Sequence, residues 1–139
     1  MVLNEIIIHT DGGSRGNPGQ AAIGVVAESN NRRLFQLGEK IGLTTNNVAE
    51  YTAVARSLQE LKTRRLQADK ISFYLDSELI VKQILGLYRI KDAKLKVLNQ
   101  QVKDLVLHFR QQGSSVTFTH VLRHLNKEAD ELLNLALDS

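Results

Sequence analysis

The chain has 139 residues, 42% of them hydrophobic and 24% charged, with a formal net charge of +3, the profile of one globular domain over 1–139 with room for a hydrophobic core. It holds no cysteine, which excludes a disulfide framework, a thiol nucleophile and a Cys-ligated zinc. No apolar run approaches the ~18 residues of a membrane span and the start, MVLNEIII, lacks the basic region of a secretory signal, so the expectation is a cytoplasmic protein without a membrane partner.

The first third of the chain reads as strands. Residues 4–11 are rich in isoleucine, Ala21–Ser29 is β-branched, and Arg32–Gly42 alternates with period two. SNNR between the last two is a hairpin signal, which predicts a three-stranded antiparallel meander. The pattern then changes to helical spacing over Thr45–Lys62, with Thr45 or Asn46 as N-cap. Lys70–Asp76 reads as a strand and Ser77–Leu85 as a short helix capped by Ser77. Ala93–Gln112 reads as a longer helix stopping at Gly113, Ser115–Leu122 as a last strand, and residues 126–138 as a last helix. Strands alternating with helices after a meander predict an α/β fold, a mixed sheet with helices on its faces.

The stretch HTDGGSRGNPG (His9–Gly19) carries four of the nine glycines and the single proline. NPGQ suits a type II turn with Pro18 second and Gly19 at positive φ, and Gly12 and Gly13 leave room for a phosphate backbone. No Gly-Lys-Ser/Thr follows, so a nucleotide P-loop is excluded. Basic residues gather in two stretches, Arg56 to Lys70 and Lys82 to Lys103; a solvated helix surface accounts for them as readily as a polyanion site does.

Four acids occupy unusual addresses. Asp11 and Asp76 close predicted strands, and strand ends of a helix-covered sheet are where ligands usually bind. Glu50 and Asp130 begin the apolar stripes of their helices: Ala53, Val54, Ser57, Leu58 and Leu61 follow the first, Leu133 and Leu137 the second. Each alone has a plain explanation, as a turn or helix cap or as an answer to the helix dipole. Converging, each like-charge pair at about 5 Å would cost on the order of 3 kcal/mol at an effective dielectric near 20. Oxygen ligands with no Cys or suitably spaced His point to Mg²⁺ or Mn²⁺, and carboxylate clusters that hold two such ions serve phosphodiester chemistry.

In TDGGSRGNPG (10–19), TTNNVAEYTAV (44–54), YLDSELIVKQI (74–84) and VLRHLNKEADELLNLA (121–136), the sequence resembles the type 1 ribonuclease H family, in its compact branch without the large basic protrusion. The resemblance implies a five-stranded mixed sheet, the meander plus two parallel strands, flanked by helices. It implies Asp11, Glu50, Asp76 and Asp130 as catalytic and metal-binding residues for two Mg²⁺ or Mn²⁺ ions, with Asp11 bridging both. It further implies a monomer that hydrolyses the RNA strand of an RNA–DNA hybrid to 5′-phosphate and 3′-hydroxyl ends, with double-stranded RNA open as a second substrate. Gly12, Gly13, Asn17, Asn46 and Asn47 match the nucleic-acid-binding positions, the asparagines reading the minor groove and its 2′-hydroxyls, although turn and cap chemistry would also suit them. A catalytically weak hybrid- or RNA-binding module of the same fold is the alternative.

Three departures stand out. Glu78 replaces a frequent Gln after the Asp-Ser pair, adding a fifth carboxylate. The loop before the last helix is contracted to VLRHLN, with Arg123 typical of the compact branch and His124 near, but not at, the usual spacing of an auxiliary histidine; His120 is assigned to strand packing. Leu85–Lys96 is short, so the grip on a polyanion rests on scattered Lys and Arg. Cleavage of subsaturating hybrid is therefore expected to slow steeply between about 50 and about 300 mM salt, measured as initial rate.

Overall fold

The computed structural model describes residues 2–139. Its elements are β1 (Val2–Arg15), β2 (Gly19–Ser29), β3 (Arg32–Thr44), α1 (Asn46–Thr63), β4 (Gln67–Leu75), α2 (Glu78–Ile84), α3 (Ala93–Gln111), β5 (Ser115–His120), a 3₁₀ turn at Arg123–Leu125, and α4 (Lys127–Asp138). The strands form one sheet in the order β3-β2-β1-β4-β5. β1, β2 and β3 are antiparallel neighbours, while β4 runs parallel to β1 and β5 parallel to β4. This is the expected mixed sheet.

Local chemistry accounts for the element ends. Asn30 and Asn31 both adopt positive φ, 52° and 62°, as a two-residue type I′ hairpin turn requires. The side chains of Thr45, Ser77 and Asp92 accept hydrogen bonds from the backbone of Val48, Ile80 and Leu95 and so cap α1, α2 and α3. Gly113, at φ 97°, follows the end of α3.

The sheet buries its two faces against different helices. Ile6 and Ile8 of β1, Ile71, Phe73 and Leu75 of β4 and Phe118 of β5 join Val54, Leu58 and Leu61 of α1 and Val102, Val106 and Phe109 of α3 in the main core. On the other face α4 lays Leu133 and Ala136 on Ala22. Gly24 and Gly38, register partners across β2 and β3, make the seat for α4. A Cβ on Gly24 would stand 1.9 Å from the Ala129 carbonyl oxygen, and one on Gly38 2.8 Å from that of Leu132.

Two expectations about the glycine-rich stretch are corrected. β1 does not close at Asp11, because its antiparallel pairing with β2 continues to Arg15↔Gln20; only the parallel pairing with β4 stops, at Thr10↔Leu75. The turn is also not type II. The Asn17–Pro18 peptide is cis and positive φ falls at Gly16, 90°, not at Gly19. Gly19 is needed for another reason, since a Cβ there would meet the Arg15 carbonyl oxygen at 2.0 Å.

Because the α4 backbone cannot yield as a flexible side chain would, Gly24→Ala is expected to destabilise the fold by about 3 kcal/mol, the upper end of overpacking effects, read from the denaturant midpoint.

Candidate active site

The two parallel strands β1 and β4 end their mutual pairing side by side, and the acids gather there. Asp11 pairs in register with Gly24 and shares the α4 face with it; Gly12, the next residue, lies on the α1 face. A Cβ on Gly12 would stand 2.2 Å from the Ala49 carbonyl carbon and 2.5 Å from the Glu50 nitrogen. The missing side chain therefore admits the α1 backbone, and Gly12 is buried under it. That approach delivers Glu50, whose Oε1 accepts a 3.3 Å hydrogen bond from the Gly12 N–H. Asp76 follows the last residue of β4, ahead of the Ser77 cap.

Asp11, Glu50 and Asp76 each place one carboxylate oxygen within 4.8 Å of the others. Asp130 lies outside that group, in the first turn of α4. It lines the same cavity, of about 560 Å³, with the three acids, Gly12, Gly13, Arg15, Asn46, Arg123 and Asn134. Three of the four expected acids thus form one cluster, and Asp130 meets it through Asp11, whose carboxyl its side chain reaches and whose proton affinity it raises further.

Burial and mutual repulsion raise the proton affinity of the cluster. Burial first, then the charge of Asp76, pushes the Asp11 carboxyl up from 3.8 to about 7. Burial and the charges of Asp11 and Asp76 hold Glu50 well above the usual carboxylate range, against the pull of the Gly12 N–H. Burial also raises Asp76, opposed by the Asn126 amide and the charges of Arg123 and His120. Glu50 Oε2 and Asp76 Oδ2 are buried with no hydrogen-bond partner. Two converging, unpartnered carboxyl oxygens are the donor set a hard divalent cation takes.

A model of the RNase H family matches residues 3–137. The chain belongs to the RNase H family. It is 37% identical over 129 residues to ribonuclease HI of Halobacterium salinarum, covering 92% of this chain and 62% of that protein. It is 35% identical over 137 residues to the bifunctional protein Rv2228c of Mycobacterium tuberculosis, covering 97% of this chain and 36% of that one. The chain therefore spans less than two thirds of the length of these curated relatives. Among solved structures, RNase H1 of Halobacterium salinarum superposes with a TM-score of 0.88 at 35% identity, over 97% of this chain and 98% of the other. LC11-RNase H1 in complex with an RNA/DNA hybrid gives 0.88 at 40% identity over 96% of each chain.

The remaining RNase H motif residues divide by position. Asn17 Oδ1 accepts from the backbone N–H of Asn46 at 3.0 Å, and Asn46 Oδ1 accepts from the N–H and hydroxyl of Ser14 at 2.8 and 3.1 Å. Both oxygens are used inside the protein, so what each side chain offers a partner is its Nδ2 donor. Asn46 and Gly13 line the acid cavity; Asn17 and Asn47 do not. Arg123 lines it too, whereas His124 opens onto a neighbouring cavity of about 310 Å³ with His9, Glu28 and Glu128. Glu78 is no fifth ligand: it is exposed, ion-paired to Lys82 at 3.1 Å and 3.9 Å from His120 Nδ1. His120 is exposed at the end of β5, not packed, because its partner Leu75 is the last core residue of β4. Arg15, Asn126 and Asn134 were not singled out by sequence; only the weak signal of an Asn ahead of a helix marked Asn126.

The proton affinity of Asp11 fixes a sign. Its carboxyl holds a proton in the folded chain that the unfolded chain releases above 3.8, so its contribution to stability falls as pH rises from there through about 7. In EDTA, Asp11→Asn is expected to match the parent near pH 4 and to melt higher at pH 7. Mg²⁺ at ten times its Kd should narrow the gap by stabilising the parent alone by about 1.4 kcal/mol, seen in parallel thermal melts.

Proposed function

We propose that the chain is an endoribonuclease that hydrolyses the RNA strand of RNA–DNA hybrids with two divalent cations, Mg²⁺ or Mn²⁺. The observation that carries this reading is the trio Asp11, Glu50 and Asp76, within 4.8 Å, with two buried oxygens lacking any protein partner. A purely structural role leaves those oxygens unexplained, because burying an unpaired carboxylate is costly and a fold does not gain from doing it twice in one place. The relative solved with a hybrid bound shares the fold at 40% identity, which supports the same substrate class here.

Asp11, Glu50 and Asp76 would hold cations, with Asp130 completing the second position beside Asp11. Bound cations would supply an acidified water and charge stabilisation at the scissile phosphate. The chain's own residues do the rest. The Nδ2 groups of Asn17 and Asn46 donate toward the minor-groove edge, whose acceptors are common to all base pairs, while the 2′-hydroxyls distinguish RNA from DNA. Arg15 and Arg123 flank the acids and offset the approach of a phosphate to an anionic cavity. In-line attack of water on phosphorus with departure of the 3′-oxygen leaves a 5′-phosphate and a 3′-hydroxyl. The proton taken from water and the one needed by the leaving oxygen are exchanged with solvent through the open cavity.

Cleavage of a labelled RNA–DNA hybrid, beside DNA and RNA duplexes, in Mg²⁺, Mn²⁺ and EDTA tests the assignment. The RNA strand of the hybrid is expected to be cut only with metal, and Asp76→Asn, which keeps shape and removes one charge, should lower kcat by at least about a hundredfold. Tight hybrid binding without cutting in either metal would favour a binding module instead.

A further inference from the structure

Asn126 precedes α4 at its N-cap position, yet its side chain makes no capping hydrogen bond. It is 1% exposed, and forgoing a cap costs the helix stability. Its side chain turns inward instead: Nδ2 donates to the Thr10 carbonyl at 2.9 Å across 116 positions of sequence. The same amide lies within hydrogen-bonding reach of the Asp76 carboxylate. Its backbone carbonyl accepts from the N–H of Asp130 at 3.2 Å. One residue therefore touches the backbone just before Asp11, the side chain of Asp76 and the backbone of Asp130. Its Oδ1 is buried with no partner, so the placement is not the one that stability alone would select.

From the contacts of Asn126 with β1, Asp76 and α4, we infer that it is a positioning residue that locks the carboxylates of three separate elements into one cation-binding arrangement. The inference rests on the metal-centre reading of the acid cluster. Residues that orient a ligand by hydrogen bonding typically influence metal affinity ten- to a hundredfold. An effect of that size here would act through Asp76 and the approach of Asp130, not through contact with substrate.

Asn126→Ser separates this role from a structural one, because serine caps a helix well but is too short to span Thr10 and Asp76. Mg²⁺ and Mn²⁺ binding to the free protein, measured by titration calorimetry, is expected to weaken about ten- to a hundredfold. Thermal melting in EDTA should change little, kcat should fall at a fixed low Mg²⁺ concentration, and KM for hybrid should hold. Raising Mg²⁺ should restore kcat. If Asn126→Ser melts early, Asn126→Thr, which also caps, fills more of the space and still cannot span Thr10 and Asp76, is read in its place against the same titrations, with weaker cation binding and a kcat restored by added Mg²⁺ again expected. Parent-like cation affinity and metal dependence in a folded variant would overturn the role of Asn126. A parent protein that binds neither cation would overturn the metal-centre reading itself, whatever Asn126 does.

Discussion

The close approach of α1 to Gly12 is the constraint on which the site depends. The parallel register of β1 with β4, which ends at Thr10↔Leu75, by itself carries Asp11 and Asp76 to the same level. A third carboxylate reaches them only because the α1 backbone lies where a Cβ of residue 12 would be. The same contact fixes the Gly12 N–H against Glu50 Oε1. One missing side chain thus sets both the distance of the third acid and its single hydrogen bond from the backbone.

Having brought the acids together, the fold does little to neutralise them. The net charge of +3 is spent elsewhere: Arg56 pairs with Glu39 and Glu60, Arg64 with Glu60, and Arg33 with Glu28 and Glu128. Of the arginines lining the cavity, Arg15 is held by Asp138 at 2.6 Å, and Arg123 acts on Asp76 through space. The result is a cluster whose proton affinity is raised at all three members. Protons and cations compete for it, which makes the metal-free state the strained one at neutral pH.

Much of this was legible in the sequence, and the failures have physical causes. Glu50 was recognisable because helical spacing put it on the packing stripe, and it is 8% exposed. Periodicity reports direction and not distance, so it could not tell that Asp130, with a similar address, reaches Asp11 but does not join the trio. The glycine-rich stretch misled for a related reason. Gly12 is excluded from bearing a side chain by the α1 backbone, a long-range fact that turn chemistry cannot anticipate, and Gly19 by the Arg15 carbonyl within a turn of another type than the sequence suggested. The 3₁₀ turn at Arg123–Leu125 shows the limit most sharply. With three residues per turn, neighbours point about 120° apart, so Arg123 enters the acid cavity while His124 enters the next one.

The distribution of unsatisfied polar groups ties these points together. At the junction of α1, α2 and α3 the chain buries Tyr51, Gln83 and Asn99 and satisfies them: the tyrosine hydroxyl donates to Gln83 Oε1 at 2.9 Å and accepts from Asn99 Nδ2 at 3.3 Å. Among the described residues, the buried side-chain atoms left without partners are Thr10 Oγ1, Glu50 Oε2, Asp76 Oδ2 and Asn126 Oδ1. Two belong to the acid cluster, and the other two to residues joined by the Asn126–Thr10 hydrogen bond. A sequence able to close a three-residue polar network in one part of its core is not short of means to close another. Leaving these atoms open in one place, and around converging carboxylates, is what a fold does when the missing partners come from outside the chain.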